Sequence, residues 1–416
     1  MRRMRVTSAF LLTTAAILAC ALPNLAAPAT IPAATLAART MQALSALATP
    51  TIPPAATPIP TQLASPTSAP TTTSDLLPHS LYFLNNDKNG LVQIFRIERD
   101  GKTITQITFE PANVDSYDIS PKDGSVAYVS NNQLFLVDVN GAGRKMLVDG
   151  GAINENNRLS NTVGSPVWSP DGKTIAYAED GLNFYTLDGG AIAQVLKNDF
   201  DTSAGFLQVR AVYSPVRYSP DGGKLLINIS YSENGTMGIY FLANQTMMKL
   251  NRPDGGMFCC HASWTPDSGG VYAASPTTGM IDSGLLYANA SNGTVSVLLP
   301  GSAPDGTYNF ADAPLVGPDG KLYFFFNNLT QIPTSAHTPL YMVKSESDGV
   351  TGRTQLKPDL FQNINEVLWA PDASFAVVAF APVQDVYEGG EAEVVYPDAR
   401  PNVVLTSFAE NMRWGP

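Results

Sequence analysis

The residues best equipped for chemistry stand together at Met257-Phe258-Cys259-Cys260-His261, a run that holds two of the three cysteines and one of the three histidines in the chain. Two adjacent thiols beside an imidazole admit three readings. A metal centre needs more than this pair of donor types. Zinc normally takes four ligands, with three from the protein in catalytic sites, and copper is equally demanding, so neighbouring segments would have to supply donors. A vicinal disulfide is the second reading. Adjacent Cα atoms lie about 3.8 Å apart, short of the usual range of about 4.4–6.8 Å for bridged cysteines, so such a ring bends the chain. In an oxidising compartment it is the expected state, because the third cysteine, Cys20, has another use. Packed free thiols are the third reading. Strand alternation would place Cys259 and His261 on one face and Cys260 on the other.

The element that positions this run is a repeat, seen most plainly from Ser165 to Gly190. A strand, Pro166 to Ser169, ends at Pro170-Asp171-Gly172, where proline sets φ and glycine accepts positive φ, so the chain reverses into Thr174 to Ala178. Glu179-Asp180-Gly181 turns it again into Leu182 to Leu187, and Asp188-Gly189-Gly190 leads to a fourth run, Ala191 to Leu196. The turn proline recurs at Pro121, Pro170, Pro220, Pro266, Pro318, Pro371 and Pro416, in steps of 49, 50, 46, 52, 53 and 45. That period is one four-stranded propeller blade. An aromatic two places earlier (Trp168, Tyr218, Trp264, Trp369, Trp414) reads as blade-to-blade core and accounts for all four tryptophans.

The two ends complete one another. Met412 to Pro416 reads as a first strand with no blade behind it, whereas Ser80 to Phe109 holds three strands without a first one. The expected fold is therefore all-β: a seven-bladed propeller of four-stranded antiparallel blades over residues 76–416, closed three strands plus one. The segments leading into innermost strands then converge on one channel mouth. They carry Asp115, Arg210, Tyr213, Tyr308, Asn309, Asp312, Asn365, Glu366 and Glu410 beside His261. Mixed polar groups round a concave mouth can bind a ligand, or can simply solvate the channel and satisfy loop backbones. Longer loops at Pro276 to Ser283, Asn327 to Pro339 and Ala381 to Ala392 are the other places for specificity.

The repeated (W/Y)-S-P-D-G-K-x-(I/L)-A-Y, as in Trp168 to Tyr177 and Tyr218 to Ile227, resembles the propeller repeat of the TolB family of extracytoplasmic bacterial proteins. The resemblance covers residues 76–416 and implies architecture. Similar blades serve protein-binding scaffolds, peptidase gates, lyases and cyclases, so it assigns no site.

At the other end, Arg2, Arg3 and Arg5 precede an uncharged run from Val6 to Ala19, too short for a comfortable membrane span. Residues 1–19 read as a signal peptide. Ile17-Leu18-Ala19-Cys20 resembles the bacterial lipoprotein cleavage box, which implies lipid attachment at Cys20; conventional cleavage nearby is the alternative. Residues 20–75 are rich in Ala, Thr and Pro and hold no core, so a disordered or semi-rigid extended stalk is expected.

The formal charge is −11, from 25 Lys and Arg against 36 Asp and Glu, and becomes −14 without the three N-terminal arginines. No basic run follows residue 5, which argues against nucleic acid and against anionic lipid as partners. The sequence has no G-x-S-x-G, H-E-x-x-H, C-x-x-C-H or phosphate loop. A peptidase-gate role would need a hydrolase domain, and none is expected after Pro416. The expectation is a monomeric, surface-tethered, non-catalytic binding propeller outside the cytoplasm, with a protein or glycan partner, no cofactor, and the membrane reached only through the lipid. An extracytoplasmic lyase or cyclase with a metal at the channel mouth is the alternative.

The anchor is directly testable. Cys20→Ala should move the chain from the membrane fraction to the medium or to the soluble extracytoplasmic fraction, and unchanged sedimentation with membranes would remove the lipid assignment.

Overall fold

The Ser-Pro-Asp-Gly segments fold as the repeat requires. At 169–172 the Ser169 hydroxyl donates to Asp171 Oδ1 (2.6 Å) and accepts from the Thr174 N–H (3.0 Å), while Gly172 sits at φ +69°. The same lock recurs with Ser219, Asp221 and Gly222 (φ +70°) and with Thr265, Asp267 and Ser268 (φ +60°). Each side chain closes its own turn, so the reversal is encoded locally before any blade packs.

The computed structural model describes residues 75–203, 205–277, 283–333 and 337–416. Among them the regular secondary structure is strand, apart from one 3-10 turn at Arg158–Ser160. Four sheets are plain antiparallel meanders of four strands. They comprise Val114–Ile119 to Lys145–Asp149, Gly164–Trp168 to Ile192–Lys197, His261–Trp264 to Val295–Pro300, and Tyr308–Val316 to Thr354–Phe361. The architecture is an all-β propeller of antiparallel sheets.

Two sheets depart from the expected pattern. Gln208–Tyr218 is eleven residues long, and its first part pairs with an additional strand, Asp199–Asp201, which makes a five-stranded sheet. The second departure is at the chain end. Met412 to Pro416 is not a separate strand; it is the tail of Val403–Trp414, twelve residues with no Gly or Pro to interrupt them. Up to Ala409 this strand pairs with Gly390–Val395, and from Glu410 it pairs with Leu81–Asn86 through Leu84↔Glu410, Tyr82↔Arg413 and Leu81↔Trp414. A bulge at Asn411 (φ +53°) lies where the new partner begins. The strand thus welds Ile364–Trp369, Ala376–Phe380 and Gly390–Val395 to Leu81–Asn86, Val92–Ile97 and Ile104–Gln106 in one seven-stranded sheet.

Apolar side chains fill the spaces between successive strand sets. Tyr82 and Ile94 pack with Tyr117 and Tyr128, Val129 with Trp168 and Tyr177, and Val167 and Ala176 with Tyr218 and Ile227. The series continues as Leu226 and Ile239 with Trp264 and Ala273, Tyr272 and Leu285 with Phe324, and Phe310 and Phe325 with Trp369 and Val378. It returns to its start where Val377 and Val394 meet Leu81, Phe83 and Met412. Three tryptophan ring N–H groups reach across these seams. Trp264 donates to Arg217 O (3.2 Å), Trp369 to Ala313 O (2.7 Å) and Trp414 to Trp369 O (2.8 Å).

Deleting Glu410 to Pro416 should therefore cost far more than its length suggests. Met412 is fully buried, and truncating such a side chain alone costs about 2–5 kcal/mol out of the roughly 5–15 kcal/mol that holds a typical domain together. Calorimetry should show a large fall in melting temperature; a truncated chain that melts like the parent would mean that this strand does not close the structure.

Candidate functional site

The first strand of each set lines a central channel. In a strand the aromatic before the turn proline faces the neighbouring sheet, so the residue just ahead of it points the other way. Asp118, Val167, Arg217, Ser263, Leu315, Leu368 and Arg413 occupy that place, and all of them line the central cavities. Nearer the opposite mouth, six first strands slip register against their partners, by way of bulges that include Ser165, Ala313 and Asn411 at positive φ. The exception is His261–Trp264, which pairs regularly. There the disulfide-linked Cys259 and Cys260 come just ahead of the strand, where the other sets bulge. The strand begins at His261, so the expected alternation does not extend back to the cysteines, and Cys260 lines the same two cavities as His261.

His261 Nδ1 donates to Asp312 Oδ1. The same carboxylate oxygen accepts the Ala313 N–H (2.7 Å), and Asp312 is fully buried whereas His261 is half-exposed. The Asp312 charge raises the imidazole pKa to about 9 against the opposing effect of burial, with Glu366 adding to the rise. Glu366 accepts the Met412 N–H (2.7 Å), and burial pushes its carboxyl up despite the nearby Arg413 and His261.

Above this pair, three long loops meet. Thr338 donates to Pro276 O (2.7 Å), Asn365 Nδ2 to Gly389 O (2.6 Å), and His337 Nε2 to Asn365 Oδ1 (2.7 Å). Tyr387 stacks on His337 with ring centroids 5.8 Å apart and remains 66% exposed. These loops enclose a cavity of about 210 Å³ whose lining includes Cys260, His261, Asp312, Asn365 and Tyr387. It adjoins a cavity of about 410 Å³ that reaches Glu366 and Arg217 along the channel.

Of the residues singled out from the sequence, His261, Asp312, Asn365, Glu366 and Cys260 come together here. Others are employed elsewhere. Arg210 is drawn to Asp201 (2.5 Å) on the added hairpin. Asn309 donates to Pro300 O (2.8 Å) and accepts from Asn328 (2.9 Å), holding its own loop beside Tyr308. Glu410 lines neither cavity, and burial together with Glu388 pushes its carboxyl up. Asp115 lines a separate cavity of about 610 Å³. Cys20 lies outside the described residues. Sequence reading missed Asp118, Arg217, Arg413 and Tyr387. The first three were marked by being a charged residue directly ahead of the aromatic position.

No protein family matches the sequence, and no curated protein does either. Solved structures do resemble it. A puromycin-hydrolyzing peptidase of Mycobacterium tuberculosis aligns with TM-score 0.51 and 12% identity over 80% of this chain and 52% of that one. TolB of Acinetobacter baumannii aligns with TM-score 0.42 and 15% identity over 65% of this chain and 62% of its own. Dipeptidyl peptidase 4 of Porphyromonas gingivalis gives 0.46 and 10% over 76% and 49%. This chain spans only about half to two thirds of the length of these structures. The likeness to the puromycin-hydrolyzing peptidase is one of fold.

The raised imidazole has a pH signature. Its folded pKa, about 9, exceeds the ordinary 6.5, so the stability that the pair contributes is complete below about pH 6.5 and is lost as pH rises through about 9. Half-exposure of His261 makes the effect modest. Between about pH 6 and 9.5 the melting temperature of the parent should fall more than that of His261→Gln; parallel curves would remove the coupling.

Proposed function

We propose that this chain is a non-catalytic binding propeller of seven blades, tethered outside the cytoplasm by lipid on Cys20, that recognises a protein or glycan partner at the loop mouth of its channel. The cyclic series of apolar seams and the strand shared by both chain ends support the closed ring of seven. One observation carries the binding role: three loops from three successive strand sets are tied together around one cavity that presents an exposed aromatic. Tyr387 supplies a flat apolar face with a polar rim, and Ile332 and Val383 on the same loops are also exposed, at 47% and 57%. An aromatic beside hydrogen-bonding amides suits either a sugar ring or a partner side chain.

The rival reading, a lyase or cyclase, draws on the His261–Asp312 pair, since an imidazole oriented by a carboxylate can move a proton. Among the described residues no three His, Cys, Asp or Glu side chains are grouped as metal ligands would be.

Immobilised protein, challenged separately with envelope proteins and envelope polysaccharides, should retain one class, and Tyr387→Ala should weaken that retention roughly tenfold or more. Equal retention by parent and variant would overturn the site. Metal-dependent turnover lost in His261→Ala would favour the enzyme.

A further inference from the structure

The end of the channel beside the turn prolines holds two guanidinium groups, one of them without a partner among the described residues. A cavity of about 310 Å³ is lined there by Asp118, Trp168, Arg217, Tyr218 and Arg413, with Pro121 and Pro170 at its edge. The Arg217 guanidinium makes no hydrogen bond or ion pair with any described residue, its main-chain carbonyl being the acceptor for Trp264, and solvent reaches the residue.

The one carboxylate that lines this cavity is partly engaged. Asp118 Oδ2 takes the Trp168 main-chain N–H (2.7 Å), and Oδ1 lies 4.0 Å from Arg413 Nε. Glu366, farther along the channel, takes the Met412 N–H. Two arginines therefore share one cavity with a single carboxylate, close enough that Arg413, after burial, pushes the Arg217 guanidinium below its ordinary value. A cavity with two guanidinium groups and one carboxylate is complementary to an oxyanion, which a planar guanidinium grips through two parallel hydrogen bonds.

We propose that this end of the channel binds an oxyanion, the carboxylate or phosphate group of a small molecule, between Arg217 and Arg413. The apolar side of the same cavity, Val167 and Leu368, accommodates the body that carries the charge. This site is at the opposite end from the loop mouth and does not depend on the function proposed there.

Calorimetric titration of the full chain at low ionic strength, with inorganic phosphate in one arm and glucuronate in the other, tests it. At least one anion should bind saturably, and the arm that does so identifies the group. Arg217→Gln should weaken binding tenfold or more. Arg158→Gln, which removes an exposed arginine paired with Glu155, should leave it unchanged. If Arg217→Gln lowers the melting temperature, Arg217→Lys keeps the charge while losing the planar fork, and is held to the same tenfold criterion. Absence of binding in both arms, or equal weakening by Arg158→Gln, overturns the proposal.

Discussion

A single strand, Val403–Trp414, has to satisfy two sheets at once, and the remaining architecture depends on it. A radial arrangement of sheets has no natural end, and any exposed first edge leaves N–H and C=O groups unpaired. Here the edge is removed by a chain segment that changes partner at Asn411 without leaving the extended conformation. The bulge matters as much as the pairing, since it lets Met412 turn into the apolar seam while Arg413 turns to the channel. Packing and channel chemistry are thus set by the same local irregularity.

The channel shows how a repeated scaffold acquires individuality. Alternation sends one side chain of each first strand to the seam and the next to the lumen. Seam positions are nearly all apolar or aromatic. Lumen positions vary freely, from Val167 and Leu368 through Ser263 to Asp118, Arg217 and Arg413. The fold constrains the first kind and leaves the second open to function.

Much of the fold was legible in the sequence because its turns are closed by their own side chains. Thr174 to Ala178 was read to the residue, and the completion of the first strands by the last follows from the missing pieces at either end. The continuity of Val403–Trp414 was not legible, since a strand that changes partners carries no local mark other than the lack of Gly and Pro. Contacts across blades were harder still. His261 and Asp312 are 51 positions apart; His261 stood out as part of the Cys-Cys-His run, and Asp312 only by its place ahead of a repeat. Arg210 shared that kind of place, yet it answers to Asp201, a short-range partner on a hairpin that no repeat pattern foretold.

The adjacency of the two ends of the ring means that it has no privileged point of departure. The Gly415 N–H donates to Ser80 O at 2.8 Å, and Leu81 lies opposite Trp414. A short linker there, with a cut at the exposed Gly189-Gly190 turn, would give a circular permutant of the same sheets, because each seam is made by neighbours in space and not by the order in which the chain visits them.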